Sequence, residues 1–262
     1  TYEDQPLGAS LLEELEIATK RQNSPFGAPF QCQILSIVGE EKLGTYGIIR
    51  GAQYYIGGKT IEGPLSLEAL GYGLETLVLA LTKEGLGSCW LGGTFKRSSF
   101  AKAMMVGEEE ILPAVIPFGV IKEKPALADR LLRKVSGGDH RKAWEELFFE
   151  GDWDHYLSKE KAGAFATILE MVRLAPSASN KQPWRILRQG SVWHFFLAET
   201  PGYGKIFPYN LQRLDMGIAA CHFDVTATSL GIHGEFQVLE NPPAGGENIV
   251  YSFSWIGEFE KP

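Results

Sequence analysis

Residues 175–184 read Ala-Pro-Ser-Ala-Ser-Asn-Lys-Gln-Pro-Trp, directly after a run whose apolar residues recur at helical spacing. Pro176 cannot continue that helix, and Pro183 biases Gln182 toward an extended conformation. Ser177, Ser179 and Asn180 offer side-chain donors and acceptors on a loop whose main chain is not consumed by a helix ladder. A second polar-backbone segment, 85–93, reads Gly-Leu-Gly-Ser-Cys-Trp-Leu-Gly-Gly. It is not a dinucleotide fingerprint: Trp90 stands where the last glycine is needed, and a helix rather than a strand precedes it. The histidines His194, His222 and His233 are scattered, so each is read as a core or surface residue. Cys89 has no histidine partner in sequence and is read as a small buried residue, not a nucleophile. No catalytic side chain and no metal site is assigned. What these residues offer is main-chain and side-chain donors and acceptors on loops.

The first segment is similar to the Ala-Pro-Ser-x-x-Asn-x-Gln-Pro-Trp loop of the nitroreductase family of flavoproteins, matched by Ala175, Pro176, Ser177, Asn180, Gln182, Pro183 and Trp184. The second resembles that family's Gly-Leu-Gly-x-Cys-Trp-x-Gly-Gly stretch. The resemblance implies that FMN is the cofactor. It also implies that Pro176, Ser177, Ala178, Asn180 and Gln182 line its ring, and that Leu91, Gly92 and Gly93 approach the ring, with a main-chain N–H near flavin N5. Glycines suit that approach, because a flat ring reaches the main chain only where no Cβ intervenes. Trp184 is expected to pack the core behind the loop. For the phosphate, the family uses an Arg-rich element that would precede Thr1, and basic residues in the position of Arg141-Lys142. A solvated basic pair is the alternative reading of those two residues. Arg50 is read as a surface residue, with a role near flavin N1 and O2 as the alternative.

The elements that must carry these segments occur twice. Leu67, Leu70, Gly73, Thr82, Leu86 and Gly87 coincide with Leu211, Leu214, Gly217, Thr226, Leu230 and Gly231 when one half is slid onto the other. Each copy reads as a long apolar helix stopped at Leu-Gly. Helices at 11–20 and 165–174, aromatic strands at 51–56 and 192–197, and late strands at 115–121 and 249–255 complete the correspondence. The expected fold class is therefore α+β. Its form is a nitroreductase-like fold of two repeated α+β halves making an intramolecular pseudo-dimer. The divisions are a first half at 1–125, a packed helical connector at 126–163 and a second half at 164–262. Trp144, Leu147, Phe148 and Phe149 are expected to share a buried face in the connector. The second half carries the Pro-Ser loop but no glycine pair after Leu230-Gly231, and the first half carries the glycine pair but not the loop. One FMN site per chain, completed by both halves, is the expectation.

The chain is 262 residues long with 44% hydrophobic and 22% charged residues, ordinary for a protein with a sizeable core. A net charge of −7 disfavours nucleic acid or an anionic membrane as partner. No apolar run reaches membrane-spanning length. Three cysteines without a Cys-x-x-Cys pair fit a reducing compartment, so a cytoplasmic location is expected. Residues are expected to be missing at one or both ends. The activity implied by the resemblance is hydride transfer from NADH or NADPH, through FMN, to a nitroaromatic, quinone or similar small acceptor. A flavin-binding protein without turnover, and an oxygen-dependent flavin-modifying or dehalogenating enzyme on the same fold, are the alternatives. Fusion removes the need for a homodimer without forbidding one.

Overall fold

The two apolar helices are the framework of two separate units, residues 1–139 and 140–262. The structure, a computed structural model, describes residues 1–36, 44–122, 140–203 and 207–257.

In the first unit, α1 (Ala9–Lys20) leads into β1 (Phe30–Ser36) and β2 (Tyr54–Ile61), then α2 (Ser66–Lys83), β3 (Gly87–Ser88), α3 (Arg97–Ala103) and β4 (Glu110–Gly119). The strands form one antiparallel sheet in the order β1-β2-β4-β3. Helix α2 is buried at Leu67, Leu70, Leu74, Leu77 and Leu81, a stripe of helical period facing the sheet. Its end differs from the sequence expectation. The stop is Gly85 at φ +73, two residues before the expected Leu86-Gly87. Gly85 N donates to Thr82 O at 3.0 Å and Leu86 N to Leu81 O at 2.9 Å. Glycine is favoured here because the closing residue must be left-handed.

The second unit runs through β5 (Phe148–Glu150), α4 (Lys159–Ala162), α5 (Phe165–Leu174), β6 (Trp184–Gln189), β7 (Val192–Ala198), α6 (Gln212–Ser229), β8 (Gly234–Gln237) and β9 (Ile249–Gly257). Its sheet order is β5-β6-β7-β9-β8. Helix α6 closes by the same motif at Gly231, φ +73, with Ile232 N on Ala227 O at 2.9 Å. Taken separately, each unit contains an α–β–β–α–β succession, interrupted by β3 and α3 in the first and extended by β5, α4 and β8 in the second, and each is an α+β body.

Of the expected connector 126–163, residues 126–139 lie outside the described residues. From His140 the chain belongs to the second unit, and it is not mostly helical. After a single 3-10 turn at Trp144–Glu146, β5 pairs in parallel with β6, Phe148 opposite Ile186. Trp144, Leu147 and Phe148 are buried, whereas Phe149 is half-buried and packs on Trp153 with ring centroids 5.2 Å apart. In a strand, neighbouring side chains take opposite faces, which separates Phe149 from Phe148. No described helix is long and apolar enough to cross a membrane.

Candidate functional site

In the first unit the chain leaves α2 and runs antiparallel along β4. Gly87 lies opposite Gly119, Cys89 N donates to Pro117 O at 3.2 Å, and Leu91 and Val115 exchange two bonds of 2.9 and 3.0 Å. Trp90 Nε1 donates to buried Glu75 Oε2 on α2 at 2.9 Å, which ties the segment to the helix. At Gly92 the ladder ends. Arg97 Nη2 donates to Gly92 O at 2.9 Å and to Pro113 O at 3.1 Å, and Arg97 Nε donates to Leu112 O at 2.9 Å. Among the described residues the N–H groups of Gly92 and Gly93 have no acceptor. Neither glycine has a positive φ, so their use is a matter of access rather than of backbone conformation. Cys89, expected to be buried, is exposed: β3 is the sheet's edge strand, and the thiol lies at Trp90 O, 3.8 Å away.

In the second unit, α5 ends at Ala175 and the loop turns through three left-handed residues, Ser179 (φ +49), Asn180 (φ +51) and Gln182 (φ +48). The extended Gln182 expected before Pro183 is therefore not what the structure shows. Tertiary hydrogen bonds override the local bias. Gln182 is 1% exposed. Its N–H donates to Ser177 Oγ at 2.9 Å, and its Oε1 accepts from Lys142 N at 2.8 Å. Its Nε2 donates to Asn180 Oδ1 at 3.1 Å and Asn180 O at 3.3 Å. Asn180 Nδ2 donates to His140 O at 2.8 Å. Non-glycine residues hold such φ values only where the surroundings over-determine them.

Gln182→Ala is accordingly expected to lower stability by about 2 kcal/mol, since it strands the half-buried Lys142 N–H and frees the loop. Denaturant unfolding together with amide exchange at Lys142 checks this; unchanged exchange there would count against Gln182 as the anchor.

Arg141, expected to meet a phosphate, is turned onto the loop. Its Nη2 and Nε reach Leu174 O at 3.1 and 3.3 Å, and its Nη1 reaches His140 O at 3.0 Å and Asn180 Oδ1 at 3.3 Å. Beneath the loop, Arg185 Nη1 donates to Trp184 O at 2.7 Å and Gln182 O at 3.1 Å, and burial lowers its pKa. Trp184 packs in the core, fully buried. His194 is buried too, hydrogen-bonded through Nδ1 to Ser254 Oγ at 2.8 Å, with its pKa lowered by burial. Arg50 is exposed and lines a cavity of about 470 Å³ with Thr1, Asp4, Gln53 and Lys122.

Asp215, Tyr203 and Arg97 are three groups of the candidate site that no motif marks. Asp215, on α6, accepts Ala178 N–H through Oδ1 at 2.9 Å; its Oδ2 is buried without a partner, and burial pushes the carboxyl up to about 8. Tyr203 OH meets Ser179 Oγ at 3.2 Å. Burial, with a smaller contribution from the Asp215 charge, raises the Tyr203 pKa. An acid flanked by Leu214 and Met216 inside an apolar helix was the available signal for Asp215. Arg97 had none, because its acceptors lie in two separate stretches of chain.

A family model described as "Putative TM nitroreductase" matches residues 1–227, and the chain belongs to that family. Membership makes it an oxidoreductase of the nitroreductase type. The fold is that of a crystal structure described as a "putative nitroreductase" from Thermotoga maritima. That structure has 18% identity and a TM-score of 0.61, covering 98% of this chain and 87% of that one. An FMN-dependent nitroreductase from Clostridium difficile R20291 aligns with 51% of this chain and 89% of its own, at 16% identity and TM-score 0.38. A nitroreductase family protein from Clostridium novyi NT aligns with 50% of this chain and 84% of its own, at 19% identity and TM-score 0.38. No curated protein matches the chain.

Proposed function

We propose that the chain binds one FMN and uses NADH or NADPH to reduce a small acceptor such as a nitroaromatic or quinone. The observation that carries this reading is the Gly92-Gly93 main chain, exposed at Gly93 and presenting N–H groups that nothing in the described protein accepts. The unclaimed main-chain N–H groups of Gly92 and Gly93, with no Cβ in the way, suit a flavin ring, and so, taken by itself, does the rigid loop of small polar residues at 176–182. When bound, FMN supplies the hydride-accepting and hydride-delivering chemistry. Gly92 and Gly93 present donors, and Leu91 anchors them through its paired bonds with Val115. Pro176, Ser177, Ala178 and Asn180 form the half-buried outer face of the loop, and Gln182, buried beneath them, is the cofactor-side residue that holds it rigid. Arg141 and Lys142 add positive charge suited to a phosphate. The single site follows from the motifs, since each half carries only one of the two segments. No side chain is assigned as a proton donor. Cytoplasmic location and an internal pseudo-dimer, with or without a further homodimer, complete the proposal.

Titration of the apoprotein with FMN is expected to saturate near one per chain, and the bound flavin to be bleached anaerobically by NADH or NADPH. A stoichiometry near two defeats the single site. Bound flavin that neither nucleotide bleaches defeats the activity and favours a flavin-binding protein without turnover.

A further inference from the structure

Arg97 lies at the point where the first unit's sheet stops. Leu91 and Val115 exchange two hydrogen bonds, so the next such pair in an antiparallel ladder is Gly93 opposite Pro113. That pair cannot form in full, because proline has no N–H to give Gly93 O. The other half of the pair, Gly93 N–H to Pro113 O, is not made either. Pro113 O is taken by Arg97 Nη2 at 3.1 Å, and the neighbouring Leu112 O by Arg97 Nε at 2.9 Å. The same Nη2 holds Gly92 O at 2.9 Å. A guanidinium fork therefore joins the two segments in place of the ladder. The Phe95 ring, 2% exposed, lies under it with its centroid 4.7 Å from Cζ, which fixes the plane of the fork. The peptide between Gly92 and Gly93 is trans, so its C=O and N–H point in opposite directions. Holding Gly92 O toward the guanidinium turns the Gly93 N–H away from Arg97.

We propose that Arg97 is a positioning residue: with Pro113 it interrupts the β4 ladder and aims the Gly93 N–H at flavin N5. The inference rests on the FMN reading above and adds the group that sets the donor's direction. Lysine replaces it only in part: an ammonium can meet Gly92 O and Pro113 O, but it cannot hold Leu112 O as well in one rigid plane. A misdirected donor costs less than a deleted one, for which losses of about 100- to 1000-fold are usual.

The test uses the full chain loaded with FMN labelled with 15N at N5, in wild type and in Arg97→Met, Arg97→Lys and Pro113→Ala. The N5 resonance of the oxidised cofactor reports its hydrogen bond directly. In Arg97→Met it is expected to move toward the position taken without a donor. The limiting rate of flavin reduction at saturating nicotinamide is expected to fall at least about tenfold, with the half-saturating concentration changed less than twofold. Arg97→Lys should fall between, and Pro113→Ala, which returns a ladder N–H to Gly93 O, should move both readouts in the same direction. If Arg97→Met does not fold, Arg97→Lys decides by the same readouts. Resonance and rate unchanged in the folded variants, with FMN bound, overturn the role of Arg97 alone. A wild-type chain that binds no FMN overturns the flavin reading and this inference with it.

Discussion

Phe223→Ala is expected to destabilise the second unit by about 3–5 kcal/mol, the range for removing a fully buried aromatic ring. Phe223 is fully buried on the inward face of α6. Its ring lies 5.2 Å from Trp255, 5.4 Å from Phe195, 6.0 Å from Phe165, 6.1 Å from Trp193 and 6.3 Å from Phe236, centroid to centroid. These partners come from α5, β7, β8 and β9, so one ring joins both helices to three strands. Phe165 and Trp193 are themselves stacked at 4.5 Å and brace each other over the gap that alanine would leave. Such a site relaxes little, and the cavity contribution stays close to its full size. Phe223→Leu keeps most of the volume and should lose only about 1–1.5 kcal/mol. Guanidinium unfolding followed by tryptophan emission measures both. A loss below about 1 kcal/mol for alanine would mean that the rings close the gap, and the rigid-core account would fail.

The rigidity of that core explains which parts of the molecule could be read from the sequence. Repeated long helices were legible because apolar period and glycine stops are local, and α5 lies where its pattern put it, at Phe165–Leu174. The stop of α2 was misplaced by two residues because Gly85 and Gly87 both satisfy the local rule, and only the hydrogen bonds of Gly85 and Leu86 choose between them. Strand β5 leaves no mark in the sequence, because three residues carry no periodicity and its partner β6 is distant in sequence. The site divides in the same way. Ser177, Asn180, Gln182, Gly92 and Gly93 were found by type and spacing. How they are held was not, since Gln182 obeys Lys142 and Asn180 rather than Pro183, and Gly92 obeys Arg97. Residue types announce a site, whereas the groups that orient it are chosen by contacts made after folding.

Asp215 is such an orienting group, and its ionisation gives the second large effect. The carboxyl is 2% exposed, holds one hydrogen bond from Ala178 N and leaves Oδ2 buried without a partner. Burial disfavours the charged form and raises the pKa from 3.8 to about 8, against the smaller opposing pull of the Ala178 N–H. Between those two values the folded protein keeps a proton that the unfolded chain has released. Stability from this group is therefore complete below pH 3.8, falls as pH rises and is fully lost above about 8. Within the window the slope is about 1.4 kcal/mol per pH unit at most. Asp215→Asn cannot ionise but can still accept the Ala178 N–H through Oδ1, at the cost of a buried amide N–H₂. The variant is expected to be slightly less stable than wild type at pH 5 and more stable at pH 9, so the two profiles cross. Asp215→Ala removes the acceptor and should be less stable than Asp215→Asn at every pH, with faster amide exchange at Ala178. Thermal melts of the three proteins from pH 5 to 9 read the comparison. Parallel profiles for wild type and Asp215→Asn would mean that Asp215 is already ionised in the folded protein, and that a cation or water meets its second oxygen.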